Sequence, residues 1–185
     1  DSYEFLCEFV ETVAKSGCST FLVHARKAWL KGLSPKQNRE IPDLNYERVY
    51  QLKNDFPELE FIINGGISNL DDSLIHLKKL DGVMLGREAY TNPYMLSEVD
   101  RTIYGDNSPP KTRQKIAEEF VEYIDNELLK GVKLSAMTRH ILGLYHGMPG
   151  ARQFRRHISE NAHKPGANVD VLVNALKFTS GAKNK

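Results

Sequence analysis

Phe61-Ile62-Ile63-Asn64-Gly65-Gly66 is an apolar run that ends in an amide and two glycines. Gly82-Val83-Met84-Leu85-Gly86-Arg87 repeats the plan downstream, ending in a glycine and an arginine. Short runs that are apolar at successive positions predict parallel strands covered by helices, not alternating hairpin strands. A third such run lies upstream, Thr20-Phe21-Leu22-Val23-His24. The expected strands are 20–24, 60–64 and 82–86.

Helical spacing surrounds them. Leu6, Phe9, Val10, Val13 and Ala14 recur at helical intervals over 3–16, with Gly17 as a stop. A second helix is expected from Tyr46 to Phe56, ended by Pro57, and a short third one with Leu70, Leu74 and Leu77 turned inward. Another starts near Glu88. Alternating strands and helices without hairpin signals predict an α/β fold. The two forms left open are a small doubly wound sheet and the last strands of a (β/α)8 TIM barrel. Three strands cannot close a barrel, which takes about 250 residues.

The texture changes at Gly105-Asp106-Asn107-Ser108-Pro109-Pro110, a linker by composition. Beyond it every periodic segment is helical. Ile116, Phe120, Ile124 and Leu128 mark 111–130. Leu134, Met137, Ile141 and Leu144 mark 134–146. Ala151, Phe154 and Ile158 mark 149–163. Val169, Leu172, Val173 and Leu176 mark 169–178, with Asn168 as the expected N-cap. Four amphipathic helices with short links predict an all-α helical bundle. The expected division is therefore 1–105 for the α/β part and 106–185 for the helical part.

The 185 residues are 41% hydrophobic and 26% charged, the balance of a globular protein. No apolar run reaches the roughly 18–20 residues of a membrane span, and no signal peptide is visible. The chain begins at Asp1 without a methionine, which reads as a fragment boundary. Cys7 and Cys18 are too few for a disulfide framework. They read as small buried hydrophobes, and the chain reads as cytoplasmic. The net charge of +1 hides an imbalance: residues 1–109 carry 12 Lys and Arg against 17 Asp and Glu, whereas 110–185 carry 13 against 7. A basic half points to a polyanion partner, or to a solvated helix face that happens to be basic.

Glycines at strand ends let backbone N–H groups approach an anion, and an adjacent Arg adds a fork of donors. Asn64-Gly65-Gly66 and Gly86-Arg87 are thus phosphate-binding candidates; the alternative is turn glycines beside a surface Arg. His24 ends its strand where barrel enzymes place their sites, or is a hydrogen-bonded structural histidine. The segment from Trp29 through Lys36 and Arg39 to Ile41 mixes an aromatic, basic groups and amides, as a lid or as a base-binding loop. Arg155 and Arg156 follow Arg152 by one helical turn, a stripe suited to a phosphate backbone. No metal-ligand spacing occurs: His140 and His146 fall off one helical face.

Together these segments resemble the A-type tRNA-dihydrouridine synthases. The likeness lies in Val23-His24-Ala25-Arg26-Lys27-Ala28, in Gly32-Leu33-Ser34-Pro35-Lys36-Gln37-Asn38-Arg39-Glu40-Ile41-Pro42, in Ile63-Asn64-Gly65-Gly66-Ile67 and in Asp81-Gly82-Val83-Met84-Leu85-Gly86-Arg87. Pro149-Gly150-Ala151-Arg152, through Arg155-Arg156 to Ser159-Glu160, is similar too. The resemblance implies an FMN-binding barrel joined to a helical tRNA-binding domain, with NADPH as reductant and a D-loop uridine as the target. It implies FMN contacts from His24, Asn64, Gly65, Gly66, Gly86 and Arg87, and tRNA contacts from Lys36, Arg39, Arg152, Arg155 and Arg156. The family's catalytic Cys and the first five barrel strands have no counterpart in this stretch, so no catalytic residue is expected here. A piece of this kind is expected to be inactive alone, to hold FMN poorly and to aggregate; the whole enzyme is expected to be a monomer without metal. Two other readings account for part of the pattern. An FMN-barrel oxidoreductase for a small molecule leaves the basic helices idle, and a non-enzymatic RNA-binding module leaves the strand-end glycines idle.

Overall fold

A computed structural model describes residues 2–29 and 31–179. The chain divides into two compact units between Gly86 and Arg87. The first unit opens with α1 (Tyr3–Ala14), where the Ser2 side chain accepts a hydrogen bond from the Phe5 N–H. It continues with β1 (Thr20–His24), a short α2 (Pro35–Asn38), α3 (Tyr46–Asp55), β2 (Glu60–Asn64), α4 (Leu70–Leu77) and β3 (Gly82–Met84). The three strands form one parallel sheet in the order β1-β2-β3. β1 and β2 match the expected runs residue for residue. β3 stops at Met84, short of the expected Gly86.

One face of this sheet is largely buried. Phe61 and Ile63 are buried with Phe21, Val10, Val49 and Leu52, and the Phe21 and Phe61 rings stack 5.7 Å apart. Burying a side chain of Phe61's size contributes about 2–3 kcal/mol. The other face is open: Leu22 is 58% and Met84 44% exposed. The expectation of strands covered on both faces holds for one face among the described residues. α4 also turns differently from expectation. Its buried positions are Ser73 and His76, while Leu70, Leu74 and Leu77 are half-buried flanks. The reason is polar. The Ser73 hydroxyl donates to the Asn69 carbonyl at 2.9 Å, and His76 shares a 2.7 Å hydrogen bond with Tyr50, so both polar groups are satisfied inside.

The second unit is helical throughout its described residues. It comprises α5 (Arg87–Thr91), a 3-10 turn over Pro93–Glu98, α6 (Val99–Ile103), α7 (Arg113–Leu129), α8 (Leu134–Thr138), α9 (Ala151–Asn161) and α10 (Asp170–Leu176). Phe154, Ile124, Ile158 and Leu172 centre its core, with Tyr145 edge-on to Phe154. The change of compactness does not coincide with the change of composition near 105. Tyr94 packs against this helical core, and the Arg113 guanidinium lies 3.6 Å over its ring.

Helix boundaries in this unit depart from the periodic pattern. Leu134, Met137, Ile141 and Leu144 are buried as expected. Yet the regular helix ends at Thr138 and continues as turns, with i+3 bonds from Ile141 to Thr138, Leu144 to Ile141 and His146 to Gly143. Asn168 does not cap in the expected way. Val169 occupies the N-cap of α10, and the Asn168 side chain accepts from the Asp170 N–H at 3.0 Å. Val173 is exposed, and Ala175 is buried instead.

Candidate functional site

The register of the sheet assembles the first group of candidates. His24 pairs with Asn64, and Asn64 with Met84, so all three strand ends lie side by side. The Asn64 carbonyl accepts from the Ala25 N–H at 2.8 Å, and its side-chain amide donates to the Met84 carbonyl at 2.8 Å. Asn64 therefore ties each neighbouring strand to the central one.

Gly65 and Gly66 follow with φ of 120° and 71°, a backbone that L side chains rarely adopt. A Cβ on Gly65 would lie 3.3 Å from His24 Cε1 and 3.2 Å from Leu44. One on Gly66 would lie 2.6 Å from Leu44. The Tyr46 hydroxyl donates to the Gly65 carbonyl at 2.9 Å. Gly86 differs. Its φ is not positive, and a Cβ there would meet nothing within 4 Å among the described residues. Neither its conformation nor packing among these residues accounts for glycine at this position. Arg87, the next residue, is exposed and opens α5.

The two glycines do not sit at the N-terminus of α4. Ile67, Ser68 and Asn69 intervene, and Asn69 Oδ1 accepts from the Asp72 N–H at 2.7 Å. Asp71 and Asp72 occupy the first turn. That helix end is already capped and negatively charged, so it offers little to an anion. Any anion affinity there belongs to the backbone of the turn itself.

The segment before α3 is ordered by its own polar groups. The Ser34 hydroxyl accepts from the Gln37 N–H, and the Gln37 side chain accepts from the Ser34 N–H at 2.8 Å, a capping box around α2. Asn38 clamps Trp29 from both sides, accepting from its N–H at 2.7 Å and donating to its carbonyl at 2.9 Å. Leu30 lies outside the described residues. At the base, Arg26 donates to the Pro42 carbonyl, and Arg26 forms an isolated bridge with Leu44. Lys36 and Arg39 are both exposed on this framework.

In the second unit, α9 buries Ala151, Phe154 and Ile158 and exposes Arg152, Arg155 and Arg156. Arg156 pairs with Glu160 at 2.8 Å, which partly neutralises the stripe. Among the described residues no three His, Cys, Asp or Glu side chains cluster as a metal site, and no helix is long and apolar enough to cross a membrane. Cys7 and Cys18 are half-buried beside the first unit's core. The sequence offered no sign of Tyr46, whose hydroxyl reaches a carbonyl 19 positions away; its spacing marked only a helix start.

Comparison with known proteins places these features. The dihydrouridine synthase family model matches residues 1–180. The chain is 59% identical over 177 residues to a tRNA-dihydrouridine(20/20a) synthase of Vibrio cholerae, covering 95% of this chain and 54% of that protein. It is 60% identical over 181 residues to the protein of that name from Yersinia pestis, covering 97% and 52%. The Escherichia coli K12 protein of the same name is 55% identical over 181 residues, covering 97% and 52%. The chain thus spans about half the length of these curated relatives. On a match that covers nearly all of its length, the chain belongs to the dihydrouridine synthase family.

Proposed function

We propose that this chain is part of an FMN-dependent, NADPH-using tRNA-dihydrouridine synthase that reduces a D-loop uridine to 5,6-dihydrouridine. The first unit is read as the C-terminal strands of a (β/α)8 barrel and the helical unit as the tRNA-binding part. The observation that carries this is the 59–60% identity to proteins named for that activity, over 95–97% of this chain.

The residues present fit a flavin phosphate. Gly65 and Gly66 present a crowded, positive-φ backbone that L side chains rarely adopt, and Gly86 has room beside it that no described residue fills. His24, Asn64, Gly65, Gly66 and Gly86 would hold the cofactor, and Arg87 would add its guanidinium. When bound, the flavin supplies the two-electron transfer from NADPH to the 5,6 double bond of uracil. The chain's own side chains bind and orient. Arg39, on the loop clamped by Asn38, would face the target base, with Lys36 beside the RNA. Arg152, Arg155 and Arg156 would follow the tRNA backbone. Reaching a base within folded tRNA requires lifting it from its stack, which a charged, ordered loop favours by holding the displaced nucleotide.

The test uses the whole protein that carries this sequence, mixed with unmodified tRNA and NADPH, with dihydrouridine quantified in digested nucleosides by mass spectrometry. Product that is lost with Arg39→Ala, in a protein that retains FMN, is the expected result. No product from a flavin-loaded protein would refute the reading and favour a small-molecule flavoenzyme.

A further inference from the structure

We propose that Tyr46, braced by His76, is a positioning residue that sets the Gly65–Gly66 turn and thereby the affinity for a phosphate-bearing flavin. This inference rests on the flavin reading of that turn.

The argument begins with the peptide plane. The Gly65 carbonyl and the Gly66 N–H belong to one planar trans unit and point in opposite directions. Tyr46 fixes the carbonyl with a 2.9 Å hydrogen bond, so the Gly66 N–H is aimed away from α3. Leu44 packs against the same turn, its terminal carbons 3.2 Å from where a Cβ would stand on Gly65 and 2.6 Å from one on Gly66. A turn of two glycines has more conformational freedom than any other dipeptide. Something must select one conformation, and Tyr46 supplies the directional contact.

Tyr46 is itself held in place. Its ring meets His76 edge-on at 4.5 Å between centroids. His76 is only 4% exposed, although it is a titratable side chain on a surface helix. Its Nδ1 shares a 2.7 Å hydrogen bond with the Tyr50 hydroxyl, and the Lys79 ammonium lies 4.1 Å over the Tyr50 ring. The groups facing His76 are therefore Tyr46 and Tyr50 from α3, Asp72 on its own helix and Lys79 just beyond it. Glu47 on α3 acts on Tyr50, and Arg26 acts on Tyr46. Burial pushes the imidazole below its ordinary value of 6.5; Asp72 opposes this and Lys79 reinforces it. The neutral ring belongs to the packed state. Protonation puts a charge into the stack beside Lys79 and leaves Nδ1 able only to donate toward Tyr50. The stack then loosens, and Tyr46 with it.

The experiment measures FMN dissociation constants by flavin fluorescence from about pH 5.5 to 8, using the whole protein and its Tyr46→Phe and His76→Asn variants. Tyr46→Phe keeps the ring and removes only the hydroxyl. It is expected to weaken FMN about 3- to 10-fold at the alkaline end, the effect of one hydrogen bond, with faster amide exchange confined to residues 65–67. FMN's own phosphate titrates near pH 6 in every variant (about 6 for a phosphate ester). His76→Asn is expected to remove the additional weakening on acidification that wild type shows beyond that shared step. Wild-type affinity in Tyr46→Phe, or parallel pH profiles for wild type and His76→Asn, would overturn the positioning role while leaving the flavin reading intact. A wild-type protein that binds no FMN at any pH would overturn both.

Discussion

In the first unit, His24 and Asn64 are paired in register, Asn64 bonds both neighbouring strands, and Gly65 is tied to Tyr46. On α9 of the second unit, Arg152 and Arg155 project from a helix held by its buried face of Ala151, Phe154 and Ile158. One set of candidate residues is held by directional bonds and close backbone contacts. The other is long, flexible side chains on a rigid support. The first arrangement suits a ligand of one shape, and the second suits an extended charged surface that tolerates a shift of an ångström. Substitutions should be brittle in one region and graded in the other.

The largest expected effect tests whether the second unit is as tightly built in its backbone as the first. Gly150 precedes α9 at φ 81°, and a Cβ there would run into the Phe178 carbonyl. Gly150→Ala should cost about 3 kcal/mol in urea unfolding; a change under about 0.5 kcal/mol would show that this backbone yields easily. Next comes the lower end of the sheet. Asp81 accepts from the Phe61 N–H at 2.8 Å and pairs with Lys53 at 2.9 Å. Burial alone would raise its carboxyl, but these two partners outweigh it and hold it below the ordinary 3.8. The folded value is depressed, so its stabilisation is full above the unfolded value and lost as pH falls through the folded one. Asp81→Asn should cost about 1.5–2 kcal/mol at neutral pH and flatten the loss of stability in acid below about pH 4.

A smaller effect sharpens the distinction between glycines. Gly86→Ala should leave the melting temperature nearly unchanged, because nothing among the described residues meets the new methyl. It should still weaken FMN about tenfold, if the backbone there is approached by a ligand. Unchanged FMN affinity would remove Gly86 from the site. The smallest effects fall on α9. Arg155→Gln should lower the slope of tRNA affinity against log salt by about one and weaken binding severalfold. Arg156→Gln should do less, since Glu160 already engages that guanidinium. An all-or-none loss from either would mean the stripe reads one fixed feature and is not graded.

The sequence was most legible where chemistry and period agreed. Thr20–His24 and Glu60–Asn64 are branched or aromatic runs bounded by turn residues, and both strands form at those limits. Leu85 and Gly86 continue the apolar run after Met84 but leave the ladder, because pairing with β2 ends where Asn64 turns into Gly65. The inward face of α4 was misread because Ser73 and His76 find polar partners inside, and hydrophobic period alone gives the flanking leucines more weight. His24, Asn64 and the two glycines could be placed at strand ends from spacing. Tyr46 could not, because its partner is a backbone carbonyl brought near only when α3 packs against β2.

The sheet also imposes a timetable on folding. Thr20 bonds Glu60 across 40 residues, whereas Asn64 bonds Met84 across 20. Closing the shorter loop is entropically cheaper, so the β2–α4–β3 pairing is expected to form before β1 joins β2. β1 must wait for α2, α3 and the loop clamped by Asn38. Within this sheet the β1–β2 pairing is thus expected to follow the β2–β3 pairing, and Phe21 gains its stacking partner Phe61 only when Glu60–Asn64 is in place.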